Sequence, residues 1–477
     1  MHDYLTVNEA ASKWDVSPRK VQLYCKEGRI PEATKYGGVW FIPTQATRPV
    51  HLKPGLKTKP APPPLRVLSL FSGCGGMDLG FEGGFTVLKA AINKKINPDW
   101  NSRTIDKNWV RLQKTRFHTV FANDIRPDAK TAWINYFKNR GTPATTYYLE
   151  SVVDLVKLQK ENNLPIFPTN IDVITGGFPC QDFSIAGKRK GFDSDKSHTG
   201  KIKNLDIPSI ENRGQLYIWM RKVIALVQPR VFIAENVKGL TNLKDVKEMI
   251  EHDFAAVCDG GYLVVPARVL HAAEFGVPQS RERVIFLGFK KAALKPAALA
   301  ALTSPIIPPE YDPYPLPTHA SLAAADHKPF VTTSQALVCL AEPHLSNDPA
   351  QQKYSQAKFM GKHCQGQTEI KLDGIAPTIR SEHHGNIEYR RLNQEHGGSH
   401  LDELAAGLPE RRLTIRECAR LQTFPDDYDF ILPAVKGLKN VTASDAYKLI
   451  GNAVPPLLGY HLAKRLETNW DKYFKKP

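Results

Sequence analysis

The chain has 477 residues, 42% hydrophobic and 23% charged, an ordinary globular balance with length for about two to four domains. No run of about 18 apolar residues occurs and the N-terminus lacks a charged-then-apolar leader, so neither membrane insertion nor export is expected, and a cytoplasmic location is. A net charge of +16 favours a polyanionic partner, while seven cysteines without a CxxC pair argue against a disulfide framework and a cysteine metal site, so no metal is expected.

Residues 5–42 read as a small helical unit. Thr6-Val7-Asn8-Glu9 is a capping-box pattern opening an amphipathic helix that ends near Trp14, and Ser17-Pro18 places a cap and a first-turn proline before a second helix. Arg19, Lys20, Gln22 and Lys26 fall along that second helix, and Tyr36-Gly37-Gly38-Val39-Trp40 suggests a β-wing. This order resembles the winged helix-turn-helix domains of excisionase and MerR-type proteins, which implies DNA binding, operator DNA included; protein docking and a purely structural role are the other uses of such a module. Residues 1–47 are assigned to it, and 48–64, rich in Pro and Lys, to a semi-rigid linker.

Leu65 to Phe71 is the first strand of the next region, and Ser72-Gly73-Cys74-Gly75-Gly76 is a glycine-rich turn into a helix. The spacing is neither GxGxxG nor a P-loop, so neither a dinucleotide nor a phosphate is indicated. A second strand, Thr119 to Asn123, ends in Asp124, whose carboxylate can accept hydrogen bonds from ribose hydroxyls; an adenosine without phosphates fits this pair. Between them Lys89 to His118 reads as a polar surface excursion. Ile171 to Thr175 is a buried strand, and Gly176-Gly177-Phe178-Pro179-Cys180-Gln181 reads as the loop leaving its C-terminal end, where open α/β sheets place ligand crevices. The glycines permit close backbone approach and Pro179 stiffens the chain before the thiol, which presents Cys180 outward; otherwise a lone cysteine is a small buried hydrophobe. Val231 to Ala234 leads into Glu235-Asn236-Val237, and Leu263 to Leu270 and Val284 to Phe289 are late strands, with Gln279-Ser280-Arg281-Glu282-Arg283 before the last. Repetition of strand, polar-tipped loop and helix over 65–289 predicts one α/β domain with a doubly wound, mostly parallel sheet.

Periodicity weakens over 290–410, where 11 Lys/Arg stand against 13 Asp/Glu, so this stretch is not a phosphate-gripping patch. It holds eight of the fifteen histidines, which suit either solvated loops or contact with base edges. Thr414-Ile415-Arg416-Glu417 is a second capping box, opening a helix Ile415 to Gln422. Thr442 starts another that ends at Gly451, and a last helix is expected over Leu457 to Leu466.

The ordered blocks Phe71-x-Gly73-x-Gly75-Gly76, Pro179-Cys180-Gln181, Glu235-Asn236-Val237, Gln279-x-Arg281-x-Arg283, Arg416-Glu417-Cys418-Ala419-Arg420-Leu421-Gln422-x-Phe424-Pro425 and Gly451-Asn452-Ala453-Val454-Pro455-Pro456 resemble the DNA (cytosine-5)-methyltransferases. The resemblance implies a methyltransferase fold over 65–289 and 411–477, with 290–410 as a smaller target-recognition domain. It implies S-adenosylmethionine held by Phe71, Gly73, Gly75, Gly76, Asp124 and Asn452, and a flipped cytosine in double-stranded DNA as substrate. Cys180 is the implied nucleophile, Glu235 the acid at the ring nitrogen and Arg283 a ligand of the ring oxygen, with Arg281 nearby. Pro179, Gln181, Asn236 and Gln279 are implied around the substrate, and Lys188 and Arg189 belong to a basic loop that could close on phosphates. The family often has an aromatic residue after the ribose acid, where this chain has Ile125, and the acid that reads the adenine amine is not identifiable among Glu150, Ser151 and Asp154. A monomer with a cognate restriction endonuclease in the same system is expected. A methyltransferase of the same fold acting on RNA and a DNA-binding regulator are the alternatives.

Overall fold

The N-terminal capping box forms in the computed structural model, which describes residues 4–49, 62–179, 216–242, 245–322, 325–381 and 387–475. The Glu9 N–H donates to Thr6 Oγ1 at 3.3 Å, and the Thr6 N–H donates to Glu9 Oε2 at 2.7 Å. Cys180, Gln181, Lys188 and Arg189 lie outside the described residues. The chain divides into two compact units, residues 1–62 and 63–477.

In the first unit β1 (Tyr4–Leu5) precedes α1 (Val7–Trp14) and α2 (Pro18–Lys26), and the wing is β2 (Thr34–Tyr36) and β3 (Val39–Pro43) in a sheet of order β1-β3-β2. Gly37 and Gly38 take φ of +57° and +85°, the positive pair that a two-residue hairpin turn requires. Ala10, Ala11 and Trp14 of α1 and Val21, Tyr24 and Cys25 of α2 bury themselves against Ile30 and Ile42. That leaves Arg19, Gln22 and Lys26 exposed at helical spacing along one face of α2, with Lys20 half-buried beside it.

The second unit runs β4 (Leu65–Leu70), α3 (Gly76–Glu82), the short strands β5 (Thr86–Leu88), β6 (Ser102–Thr104) and β7 (Trp109–Leu112), then β8 (Phe117–Asn123), α4 (Pro127–Lys138), β9 (Tyr147–Tyr148), α5 (Val152–Glu161) and β10 (Val173–Gly177). There follow α6 (Leu216–Val227), β11 (Val231–Val237), α7 (Val246–Ala255), β12 (Tyr262–His271) and β13 (Glu282–Lys290). The sheet order is β12-β13-β11-β10-β4-β8-β9, and β13 alone runs against its neighbours. Along β4, Leu65 and Val67 enter one apolar cluster while Leu68 and Leu70 enter the other, as expected of a strand covered on both faces. The chain goes from β4 to β8 and β9 on one side, then returns to β10 and β11 on the other. The order therefore reverses between β4 and β10.

Three expectations need correction. Gly176 and Gly177 are not loop but the end of β10, paired with Ala234 and Glu235 of β11, because parallel pairing continues two residues past the β-branched run. The 89–118 excursion carries structure: β6 and β7 join β5 in an antiparallel ribbon whose Val87, Val110 and Leu112 are buried. It braces the variable stretch through Asn93 Nδ2, which donates to Thr318 O at 2.9 Å, and through Lys328 Nζ, which donates to Ile92 O at 2.6 Å. The last helix spans Pro456–Tyr473, past the expected end, since Leu466, Asn469, Trp470 and Tyr473 extend its buried stripe. It crosses α3 so closely that a Cβ on Gly80 would lie 2.5 Å from Pro456 O. Residues 290–410 fall in the same compact unit as the sheet, and no described helix is long and apolar enough to cross a membrane.

Two imidazoles are buried, His461 on the last helix itself and His319 in the 290–410 stretch. His461 packs against Trp100 and Phe275, with ring centroids 4.5 and 5.1 Å away, and His319 Nε2 is 3.0 Å from Ala90 O. Burial lowers His461 from the usual 6.5 to about 3 and His319 to about 4. An unfolded chain takes up protons at both positions below pH 6.5 and the fold does not, so the stability they permit is intact above 6.5 and is lost as pH falls towards 4. His461→Phe is expected to flatten the pH dependence of stability between pH 6.5 and 4 by about one proton, ~1.4 kcal/mol per pH unit. Urea midpoints across that range measure it; an unchanged slope would mean His461 is protonated in the fold.

Candidate active site

A cavity of about 780 Å³ opens beyond the C-terminal ends of β4, β8, β10 and β11, at the switch point of the sheet. Its size suits a nucleoside together with a second ring. The first strand enters it through a strained turn. Phe71 lines the cavity with φ +53°, a left-handed conformation that a bulky side chain rarely takes, and Gly73 follows with φ +53°. Neighbouring strands hold the turn in place. Ser72 N–H donates to Asn123 O at 2.8 Å, and Gly73 N–H donates to Asp124 Oδ2 at 3.0 Å. Tyr147 and Tyr428 hydroxyls donate to the carbonyls of Gly73 and Cys74 at 3.0 and 2.5 Å. Gly76 lines the wall; Gly75 sits behind it with φ +80°, where a Cβ would lie 2.6 Å from Trp133 and Phe137.

Asp124 also accepts the Arg126 N–H at 3.0 Å through Oδ1. Each of its oxygens accepts one of these bonds and has capacity for another, the residue lines the cavity, and burial pushes its carboxyl above the usual range against those two bonds. Ile125, Arg126, Ser151 and Val152 continue this wall, and Asn452 closes it from the C-terminal part of the chain. Of the three candidates for the adenine amine, Ser151 reaches the wall, while Glu150 and Asp154 are exposed elsewhere. Ser151 caps α5, its hydroxyl accepting from the Val153 N–H at 3.3 Å. The cradle fits an adenosine sulfonium: Gly73 has nothing within 4 Å where a Cβ would stand, and Asp124 faces the same space.

The other end of the cavity belongs to Glu235 and Arg283. Arg283 Nε donates to Glu235 Oε1 at 2.7 Å, and Arg283 Nη1 donates to Glu282 O at 2.7 Å. Burial raises the Glu235 carboxyl above its usual range, and Arg283 opposes that shift without cancelling it. Pro179, the last described residue before Cys180 in sequence, stands on the same wall. Cys74 lines the turn but donates to Leu449 O at 3.5 Å, and burial pushes its thiol and that of Cys418 well up, so neither is a nucleophile.

Three residues expected at the substrate do not line the cavity. Asn236 is buried and its Nδ2 donates to Phe178 O at 3.3 Å, steadying the approach to Pro179. Gln279 and Arg281 are 0% and 1% exposed and bond to backbone and to Gln422 rather than facing solvent. Sequence reading missed Thr378, Ile379, Arg380 and Ser381, which line the cavity from the variable stretch. No periodicity marks them. It also missed Asp78, which accepts from Ser69 Oγ at 2.6 Å and Trp133 Nε1 at 2.7 Å and is pushed up by burial to about 6.

A switch-point cavity beside a glycine turn and a strand-end acid, on a sheet with one antiparallel strand, defines a methyltransferase of the S-adenosylmethionine-dependent class. Residues 65–468 match the C-5 cytosine-specific DNA methylase family and residues 4–46 a helix-turn-helix domain family. Type II methyltransferase M.BspRI of Lysinibacillus sphaericus is 32% identical over 420 residues, covering 86% of this chain and 83% of that protein. Type II methyltransferase M.BsuRI of Bacillus subtilis is 30% identical over 419 residues, covering 85% and 80%. The chain belongs to the C-5 cytosine-specific DNA methylases, and that family implies S-adenosylmethionine as methyl donor.

A Cβ on Gly177 would lie 2.8 Å from Glu235 Oε2, and the carboxylate cannot retreat without disturbing its 2.7 Å pair with Arg283. Gly177→Ala is therefore expected to slow methyl transfer roughly 10- to 100-fold while the melting temperature stays within a few degrees. Labelled-methyl incorporation and a thermal melt check this, and a wild-type rate would show that the carboxylate position is immaterial.

Proposed function

We propose that the chain methylates carbon 5 of a flipped-out cytosine within a specific duplex sequence, as the modification half of a restriction system with a cognate endonuclease. The observation that carries this reading is the buried Glu235–Arg283 pair facing the same cavity as Asp124 and Asn452. When bound, S-adenosylmethionine supplies an electrophilic methyl group there. Asp124 takes the ribose hydroxyls on its free lone pairs, and Phe71 and Ile125 give the adenine apolar walls, aliphatic where the family often has an aromatic.

Carbon 5 of cytosine is a weak nucleophile on its own. The Cys180 thiolate adds to carbon 6, and Glu235 in its protonated form, which burial favours, shares its proton with the ring nitrogen as charge develops there. Arg283 holds the ring oxygen and orients Glu235. Carbon 5 then takes the methyl group, its proton leaves to water, Glu235 recovers its proton, and the thiolate is expelled from carbon 6. Lys188 and Arg189 would grip phosphates near the flipped base. With S-adenosylmethionine present, duplex DNA in which 5-fluorocytosine replaces the target base should trap the wild-type protein covalently, since after methyl transfer and release of S-adenosylhomocysteine carbon 5 carries fluorine and no proton can leave. Cys180→Ala should bind the duplex and give no adduct in denaturing gels; an adduct in that variant would move the nucleophile elsewhere.

A second reading concerns the N-terminal unit, and the exposed face Arg19, Gln22 and Lys26 of α2 favours it. Presented at helical spacing with Lys20 beside it, this face suits the major groove of an operator upstream of the chain's own gene. Arg19→Glu with Lys26→Glu in the full chain is expected to weaken binding to that upstream DNA at least about tenfold while methylation of unrelated duplexes continues. Gel-shift titration decides it, and unchanged binding removes the regulatory role.

A further inference from the structure

Two segments remote in sequence, 378–381 and 450–453, meet at the cavity wall, and a buried polar knot ties them together. Gln279 Oε1 accepts the Ile379 N–H at 3.0 Å, while its Nε2 donates to Gln422 Oε1 at 2.6 Å and to Leu421 O at 3.2 Å. Gln422 passes the connection on, its Nε2 donating to Ile450 O at 3.1 Å and Ala453 O at 2.6 Å. Arg281 spans the same gap: Nη1 donates to Ile379 O at 3.0 Å, and Nη2 to Gly451 O at 2.8 Å and Ala453 O at 2.9 Å. Both backbone groups of Ile379 and the carbonyls on either side of Asn452 thus end on one knot. The backbones also touch directly, since a Cβ on Gly451 would lie 2.2 Å from the Arg380 carbonyl.

Ile379 and Asn452 both line the cavity, and the knot behind them is 0–1% exposed. Hydrogen bonds in such a setting are costly to leave unmade, so one segment does not shift without the other. We propose that Gln422 is a positioning residue that couples the two ligand sites, so that ordering of the helix end at Asn452 by the cofactor also orders the 378–381 segment for DNA. The inference rests on the reading of the cavity as a shared cofactor and cytosine site. A ligand that fixes the first segment spares the second ligand that cost, which makes the two bindings mutually favourable.

Hydrogen exchange on the full-length protein with and without S-adenosylhomocysteine tests this in the absence of DNA. In the wild type, protection of the Ile379 N–H is expected to rise about tenfold together with that of residues 450–454. In Gln422→Met, which keeps the volume and loses the bonds, S-adenosylhomocysteine should still protect 450–454 and 71–76 but leave Ile379 unchanged. Gln279→Met, which cuts the link at the Ile379 end, carries the same expectation and serves if the first variant does not fold. Wild-type protection confined to 71–76, 124–126 and 450–454 overturns the coupling and leaves the cofactor reading standing. Protection of Ile379 persisting in folded Gln422→Met overturns the role of Gln422, since Arg281 still joins Ile379 to Gly451 and Ala453 there, and no protection anywhere removes the cofactor reading along with it.

Discussion

The cavity depends on the parallel register of three strands. β4 and β10 pair Val67 with Val173 and Leu70 with Gly176, and β10 and β11 pair Gly177 with Glu235. This register decides where Phe71, Phe178 and Glu235 leave the sheet. A slip of one residue would turn Glu235 to the opposite face, because side chains alternate with a period of two. The antiparallel strand β13 then sets the partner. Val237 pairs with Arg283, which puts Arg283 diagonal to Glu235 on the neighbouring strand, within reach of a long side chain. The ion pair is a consequence of strand order rather than of a flexible loop, and it stands on elements whose backbones are fully bonded.

Burial then sets the electrostatic character of the two ends. At Asp124 the turn's own N–H groups hold the carboxylate, and desolvation still prevails, so the group gains from further donors such as ribose hydroxyls. At Glu235 desolvation raises the proton affinity of the carboxyl even with a guanidinium 2.7 Å away. Cys74, also on the wall, is driven the same way by the same desolvation, and for a thiol that suppresses the thiolate which nucleophilic attack requires.

Much of this was legible in the residues. The strand and turn from Leu65 to Gly76, the acid at 124 and the Glu235 block all stand where their patterns place them, because local chemistry decides them: β-branched runs, a glycine at positive φ, a carboxylate at a strand end. The reading was weaker wherever direction mattered. A polar residue in a motif can face a ligand or its own backbone, and sequence spacing does not distinguish the two for Gln279, Arg281 and Asn236. Contributions from 378–381 were invisible for a different reason. That segment has neither periodicity nor charge pattern, and it comes to the cavity through long-range contacts, among them packing on Gly451 and bonds to the buried knot.

Those inward-facing residues answer a general problem of such a site. Where strands end at a cavity their last N–H and carbonyl groups lose ladder partners, and buried ones must find others. Here side chains supply them: Asn123 Nδ2 donates to Tyr148 and Glu150 carbonyls, Asn236 to Phe178, Tyr147 to Gly73, Tyr428 to Cys74 and Gln422 to Ala453. Most polar residues of the motif blocks are therefore occupied in giving irregular backbone a single conformation. Glu235 and Arg283 differ in that they bond to each other across neighbouring strands, and both line the cavity. The division explains why so many motif positions surround so few cavity-facing side chains: the backbone that carries those side chains is itself fixed by buried bonds.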